Sequence, residues 1–224
     1  MKVAVIGNGT SWEKYDGWGD AVVGCSLGAP IEKKYEFNVL ASTQLFKRVI
    51  EDSWDHVPKA EMYIPPHEIL HLKAQYSKKD QKIIIDKLNI VIDLQIIKSF
   101  PSCFHLNFAR IKGLDQQSKG HGNAYLGQKR GNFSQLTTGH WAIIYAIHKL
   151  NPTHIKCWGF DAHIDYTTKF NTLSWDYTHD SITKNSNKHG GLSDMKSFHR
   201  AKLWPETFEF IQGLYPDVNI EIVQ

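Results

Sequence analysis

The chain has 224 residues, of which 42% are hydrophobic, which is typical of one compact domain with a substantial core. Its 26 basic and 23 acidic side chains give a formal net charge of +3, too balanced to indicate nucleic-acid binding from bulk charge. No apolar run reaches the length of a membrane span, and the apolar start of the chain is too short for a signal peptide. We therefore expect a single cytoplasmic domain, residues 1–224, with no membrane association. The sequence predicts no particular oligomeric state.

Short apolar runs rich in β-branched residues, bounded by glycine, proline or polar residues, predict six strands. Helical periodicity predicts one helix at residues 139–150 and another at about 194–213. Apart from the strand at 90–92, residues 83–97 are apolar in both periods and receive no assignment. The alternation predicts an α/β, Rossmann-like fold with a mostly parallel sheet flanked by helices. The predicted strands are residues 3–6, 21–25, 37–41, 90–92, 155–158 and 219–223.

Two segments, 112–132 and 165–192, are polar and predict long, mobile, lid-like loops, with plain disorder as an equal alternative for each. The three cysteines, Cys25, Cys103 and Cys157, are odd in number and lie in or near apolar runs. They favour buried, reduced thiols over a disulfide framework, as in a cytoplasmic protein.

The first predicted strand runs directly into Gly7-Asn8-Gly9-Thr10-Ser11. The glycines permit a sharp turn and close approach to a ligand, and Thr10 and Ser11 place hydroxyls where a helix could begin. Such a junction is typical of nucleotide binding, although a tight turn with a helix cap and no ligand is an equal alternative.

Other small or polar residues follow predicted strands or precede a helix, and ligands of open α/β sheets bind at the carboxyl ends of strands. Ser26 follows the second strand, Thr137-Thr138-Gly139 precedes the helix at 139–150, and Gly159-Phe160-Asp161 follows the strand at 155–158. A dinucleotide site is disfavoured, since Trp12 and Ser26 stand near the places of its third glycine and acidic residue.

In order along the chain, these motifs resemble the bacterial sialyltransferases of the small inverting family that includes the Campylobacter lipooligosaccharide enzymes, and related phage sequences. That family carries Gly-Asn-Gly-Pro-Ser after its first strand, similar to residues 7–11 with Thr10 in place of proline. Its Thr-Ser-Gly helix start and Gly-Ile-Asp strand end resemble the motifs at 137–139 and 159–161. Its catalytic histidine lies shortly before an Asp-led helix, as His189 does here.

The resemblance implies an inverting, metal-independent glycosyltransferase that moves a sugar from a nucleotide-activated donor to an acceptor hydroxyl. His189 would be the general base, with Tyr166 and Tyr177 at the leaving phosphate. The chain departs from the family where donor-binding asparagines become Ser26 and, approximately, Ser42. The implied donor-binding residues are Gly7, Asn8, Gly9, Thr10, Ser11, Ser26, Thr138, Gly139 and Asp161.

Each of these residues also has an ordinary structural interpretation. His189 could be a surface histidine, Tyr166 and Tyr177 could pack a loop onto the body, and Ser11 and Thr138 could cap helices. Asp161 could orient a ribose or cap a turn. A non-catalytic binding module on the same fold therefore stays open.

A second enzymatic interpretation concerns the basic segment that holds Lys112, Lys119, Lys129, Arg130 and Tyr125. These side chains could contact phosphates and stack on a displaced base, so that the acceptor would be phage DNA with hydroxymethylated pyrimidines. The alternative is a solvated loop without a partner.

We expect no metal and no cofactor, because the chain contains no Asp-x-Asp. Asp161, His163 and Asp165 could bind a transition metal if their segment formed a loop, but no fourth ligand lies nearby. His67-Glu68-Ile69-Leu70-His71 matches the zinc-peptidase pattern. Two prolines directly precede it, a short helix is expected there, and no third ligand is obvious, so a metalloprotease is a minor alternative.

Overall fold

The computed structural model describes residues 1–26, 28–41, 43–51, 60–101, 136–160 and 204–223. They contain one seven-stranded sheet of order β5-β4-β3-β2-β1-β6-β7, in which every neighbouring pair is parallel. This confirms the predicted α/β, Rossmann-like fold. The strands are β1 Lys2–Ile6, β2 Ala21–Cys25, β3 Phe37–Val39, β4 Met62–Tyr63, β5 Ile90–Val91, β6 His154–Trp158 and β7 Asn219–Ile222.

The helices start and stop at residues suited to those positions. The helix that precedes β6 is capped at its start by the side chain of Thr137, and it is followed by Asn151 in the left-handed conformation. A short 3-10 helix, Thr10–Lys14, follows β1. The α-helices are α1 Thr43–Ile50, α2 Pro66–Gln75, α3 Lys78–Leu88, α4 Leu94–Ser99, α5 Thr138–Leu150 and α6 Trp204–Leu214.

The two faces of the sheet are covered differently in the described part of the chain. Helix α5 packs on β1, β2 and β3 over Val3 and Val5. On the other face, aromatic side chains from connecting segments pack on Trp158, with the Tyr15 and Trp18 rings 5.1 and 5.7 Å from it. Successive side chains of a strand point to opposite faces, and both faces of this parallel sheet are buried. This explains the continuous apolar sequences of its strands.

Most predicted elements are confirmed. Strands occur at all six predicted places, with β3, β5 and β7 shorter than expected, and the helix predicted at 139–150 is α5. Helix α6 confirms the described part of the helix predicted at 194–213; residues 194–203 lie outside the described residues, as do the predicted loops at 112–132 and 165–192. The unassigned stretch 83–97 contains the end of α3, then β5 and the start of α4. Sequence patterns missed β4, because two residues are too few to show a period.

Cys25 and Cys157 are buried, reduced thiols as predicted, and Cys103 lies outside the described residues. Across the described ranges, no helix has both the length and the apolar character needed to cross a bilayer.

A candidate ligand site at the carboxyl edge of the sheet

The order of strands reverses between β1 and β6. Strands β2 to β5 lie successively outward on one side of β1, whereas β6 and β7 lie on its other side. The chains that leave two such neighbouring strands diverge, and the crevice between them is where open α/β sheets bind ligands. The turn after β1 and the residues after β6 therefore meet at the position in this sheet where a ligand is expected to bind.

At that point the two connections pack backbone against backbone. The Gly7 N–H donates to the Trp158 carbonyl at 2.7 Å, and the Gly9 N–H donates to the Gly159 carbonyl at 2.9 Å. A Cβ added to Gly7 would lie 2.4 Å from the Gly159 oxygen, and Gly159 has a positive φ of 73°. Both glycines are therefore required by the packing itself, whether or not a ligand binds.

Ser11 strengthens this junction. Its hydroxyl oxygen accepts a hydrogen bond of 2.8 Å from the Gly159 N–H, and the residue is buried. The 3-10 helix starts at Gly9 without a side-chain cap, and Thr10 is exposed. Ser11 thus holds the two connections together, while Thr10 faces solvent.

Asn8 lies at the centre of the turn. The residue is half-buried, yet its Oδ1 atom is buried and has no hydrogen-bond partner among the described residues. A buried amide oxygen without a hydrogen-bond partner costs free energy. A ligand that donated a hydrogen bond to this oxygen would therefore be stabilising.

The start of α5 forms the second part of the site. Thr137 accepts a hydrogen bond from the His140 N–H through its side chain and donates its own N–H to His140 Nδ1 at 3.0 Å. His140 is fully buried, and its Nδ1 accepts this bond and so carries no proton. The sequence interpretation assigned capping to Thr138 as an alternative, but Thr137 is the cap. Thr138 and Gly139, in the first turn, have no carbonyl within the helix for their N–H groups.

Helix α5 begins at the same edge of the sheet as the glycine turn. Only three residues separate its end from the start of β6, so it runs antiparallel to the strands and its start lies at their carboxyl ends. Thirteen residues of helix span about 20 Å, slightly more than five residues of strand at about 17 Å. The positive end of the α5 dipole therefore reaches the carboxyl edge.

Helix α2 also begins at this edge, directly after β4. The buried Tyr145 hydroxyl of α5 donates to the Ile64 carbonyl at 2.8 Å, and burial raises the pKa of Tyr145 far above its usual value, so the phenol stays neutral. The rings of His67 and Trp141 lie 5.9 Å apart. These contacts pack the first turn of α2 and the segment before it against the second and third turns of α5.

Ser26 follows β2, the strand next to β1, and Asn38 lies in β3, two strands from β1. Ser26 ends β2 in the left-handed conformation, with φ of 58°, and is buried. Asn38 in β3 is fully buried, and neither amide atom has a hydrogen-bond partner within the described ranges. A Cβ on the neighbouring Gly24 would lie 2.0 Å from Asn38 Oδ1. Sequence reasoning missed Asn38 because it considered residues after strands and not those within them.

The zinc-peptidase motif lies on α2, a ten-residue helix that starts at the second of the two prolines. His67 Nε2 lies 3.3 Å from Glu68 Oε1. Among the residues that the structure describes, no three His, Cys, Asp or Glu side chains are grouped so as to hold a metal ion.

Four predicted site residues, Asp161, Tyr166, Tyr177 and His189, lie outside the described residues, as do Ser42, the segment 112–130 with its Tyr125, and residues 161–165. The described members form two groups at this edge: the turn after β1, residues 7–11, which packs on Gly159, and the helix start at Thr138 and Gly139. Ser26 lies apart from both, after β2.

Comparison with models of protein families, with curated proteins and with solved structures found no match to this chain.

Proposed function

We propose that the chain is an inverting glycosyltransferase that moves a sugar from a nucleotide-activated donor to an acceptor hydroxyl without a metal ion. The observation that carries the proposal is that the glycine turn after β1 and the amino-terminal turn of α5 lie at the same edge of the sheet, with the turn at its switch point and α5 packed on β1, β2 and β3. A phosphate is stabilised by free helix N–H groups and by the positive end of the helix dipole.

Roles for individual residues follow from the resemblance and from this geometry. Thr138 and Gly139 would bind the phosphate of the sugar donor at the start of α5. Asn8, through its unpaired amide oxygen, would accept a hydrogen bond from the nucleotide or the sugar. Gly7, Gly9 and Ser11 keep the floor of the site in place by their hydrogen bonds to Gly159 and Trp158.

The chemistry needs a base and a stabilised leaving group. The acceptor oxygen attacks the anomeric carbon, the bond from that carbon to the phosphate oxygen breaks, and the nucleotide leaves with the electron pair. His189 would take the acceptor proton, because an imidazole with an ordinary pKa near 6.5 is largely neutral at cellular pH. The hydroxyls of Tyr166 and Tyr177 would hydrogen-bond the departing phosphate, and Asp161 would orient the ribose.

Nucleotide binding tests the donor site. Melting curves are recorded with saturating cytidine, uridine, guanosine and adenosine mono- and diphosphates. A ligand at 100 times its dissociation constant stabilises a protein by about 2.7 kcal/mol, which gives a clear rise in melting temperature. If none of the panel raises the melting temperature, the donor site does not exist as proposed.

Turnover tests the base. With a binding nucleotide identified, its sugar conjugates are incubated with wild type and with the His189→Ala variant. We expect the variant to keep nucleotide binding and to lose transfer by about 100-fold or more. Unchanged transfer in the variant would remove His189 from the mechanism. Binding without any transfer by wild type would favour the non-catalytic binding module.

A further inference from the structure

The turn after β1 contains a chemically reactive pair, Asn8-Gly9. The chain has eleven asparagines, and Asn8 alone is followed by glycine. The backbone nitrogen of the next residue can attack the side-chain carbonyl carbon of an asparagine, and glycine hinders this attack least because it has no side chain. The sequence therefore makes Asn8 the asparagine of this chain that is most prone to deamidation.

No hydrogen bond holds the carbonyl oxygen of the Asn8 side chain. Its Oδ1 atom is buried and accepts no hydrogen bond from any residue that the structure describes, whereas the residue as a whole is half-buried. No bond at Oδ1 therefore has to break before the carbon that carries it, Cγ, can turn toward the backbone, and water reaches the residue.

The attacking nitrogen, in contrast, is held. The Gly9 N–H donates to the Gly159 carbonyl at 2.9 Å, and the Gly159 N–H in turn donates to Ser11 Oγ at 2.8 Å. Attack on Asn8 requires the Gly9 nitrogen to lose its proton and to approach Cγ, so its bond to Gly159 must break first. The reactive pair is therefore protected by the contact between the turn after β1 and the residue that follows β6.

We propose that Asn8 is a site of spontaneous deamidation, and that local opening of the contact between residues 7–11 and Gly159 sets its rate. On opening, the Gly9 nitrogen gives its proton to solvent and forms a bond to Asn8 Cγ. The bond from Cγ to the side-chain nitrogen breaks, and that nitrogen takes a proton and leaves as ammonia. Water then adds to one of the two carbonyls of the resulting succinimide ring, which opens to aspartate or isoaspartate at position 8.

Both products change this edge of the sheet. Either one adds a negative charge, and isoaspartate also adds one carbon to the main chain, which displaces the Gly9 N–H from the Gly159 carbonyl. We expect the deamidated protein to melt at a lower temperature than fresh protein. A further consequence rests on the proposed function: the new charge would repel the phosphate of a nucleotide and weaken its binding. The deamidation itself requires no nucleotide site.

The main test compares Ser11→Ala with Ile84→Val. Ser11→Ala removes the acceptor of the Gly159 N–H. Ile84→Val shortens a fully buried side chain in α3, a helix that packs on α1, α2 and β5. Both changes cost stability of similar size, and urea unfolding measures each loss. The proteins are then incubated at pH 8 in native buffer and in urea, and the deamidated fraction of the peptide with residues 7–11 is followed by mass spectrometry.

We expect the three proteins to deamidate equally fast in urea. Native wild type should react at least about tenfold more slowly than unfolded wild type, because its contact is closed for most of the time. Native Ser11→Ala should react about tenfold faster than native wild type, and native Ile84→Val should react at nearly the wild-type rate. Equal acceleration in two variants of equal stability would overturn the proposal, since the reaction would then need global unfolding. So would a native wild type that reacts as fast as the unfolded chain.

Wild type alone provides an independent readout if Ser11→Ala does not fold. Its deamidation rate is measured at rising urea concentrations below the unfolding transition. Local opening exposes little surface, so the rate should rise less steeply with urea than the unfolding constant does. Parallel slopes would contradict local opening. A protein that binds no nucleotide would give the same rates, so failure of the proposed function is distinguishable from failure of this proposal.

Discussion

Gly7 and Gly159 are packed so closely that neither can carry a side chain. A Cβ on Gly7 would lie 2.4 Å from the Gly159 oxygen, and one on Gly159 would lie 2.6 Å from the Gly7 oxygen. The contact joins the connections that follow the two strands at the switch point of the sheet. It forms the floor of the proposed donor site, so its loss should lower both the stability of the protein and its affinity for the nucleotide.

Gly159→Ala should be strongly destabilising, and Gly17→Ala is its matched control. Both residues have positive φ, 73° and 87°, so both variants carry left-handed strain, but a Cβ on Gly17 meets nothing within 4 Å. We expect a loss of about 1 kcal/mol for Gly17→Ala and about 3 kcal/mol for Gly159→Ala, which adds a backbone clash. Urea unfolding measures both.

A second control is Gly213→Ala in α6, where the added Cβ also meets open space and φ is helical. Alanine there should be neutral or stabilise by up to about 1 kcal/mol. Equal losses in Gly159→Ala and Gly17→Ala would show that the contact with Gly7 does not constrain the fold.

Thr137 and Thr138 are adjacent, yet they should respond differently to alanine. Thr137 caps α5 and exchanges two hydrogen bonds with His140, so its loss should cost about 1 kcal/mol. Thr138→Ala should change the free energy of unfolding by less than about 0.5 kcal/mol. It should reduce the nucleotide-induced rise in melting temperature, because it removes the hydroxyl beside the N–H groups that bind the phosphate. A larger loss of stability from Thr138→Ala than from Thr137→Ala would reassign the cap.

His148 should make stability depend on pH. Its Nδ1 lies 3.0 Å from Ser99 Oγ and its Nε2 lies 2.7 Å from the Tyr215 hydroxyl. Burial lowers the pKa of His148 below its usual 6.5. The folded protein therefore binds this proton less readily than the unfolded chain, so stability falls as pH drops below about 6.5.

The matched variant is His148→Gln, studied by urea unfolding at three pH values from 7.5 to 5.5. We expect it to be less stable than wild type at pH 7.5 and to lose less stability toward pH 5.5. Parallel pH profiles for the two proteins would show that His148 contributes nothing to the linkage.

The thiols should react slowly in the folded protein. Burial raises the pKa of Cys25 to about 12, and it raises that of Cys157 well above its usual value. Thiolates are the reactive species, so an aromatic disulfide reagent should modify no more than the thiol of Cys103 in native protein. All three should react in denaturant. Rapid modification of two or more thiols before unfolding would contradict the buried placement.

The strands were predictable because β-branched runs ending in glycine or polar residues carry a local signal, as in β1 and β2. Helix α5 was predictable to within one residue. A short helix was expected after the two prolines, and α2 has ten residues, with Pro65 at its cap position and Pro66 as its first residue. The contact of Gly7 with Gly159 joins distant parts of the chain, and no local pattern encodes it.

The unpaired groups of Asn8 and Asn38 were also beyond the sequence. Whether a polar side chain is buried and satisfied depends on what the fold packs around it, and local periodicity contains no such information. The glycine turn and the Thr137-Thr138-Gly139 motif were found because glycines and hydroxyls at strand ends and helix starts have local meaning.

Hydrogen exchange with and without nucleotide tests the central claim most directly, which is that an activated sugar binds at the carboxyl edge between the turn after β1 and the start of α5. We expect a saturating nucleotide to slow amide exchange in peptides that contain residues 7–11 and 137–141, and to leave α3 unchanged. Slowed exchange elsewhere, with both of these segments unaffected, would contradict the claim.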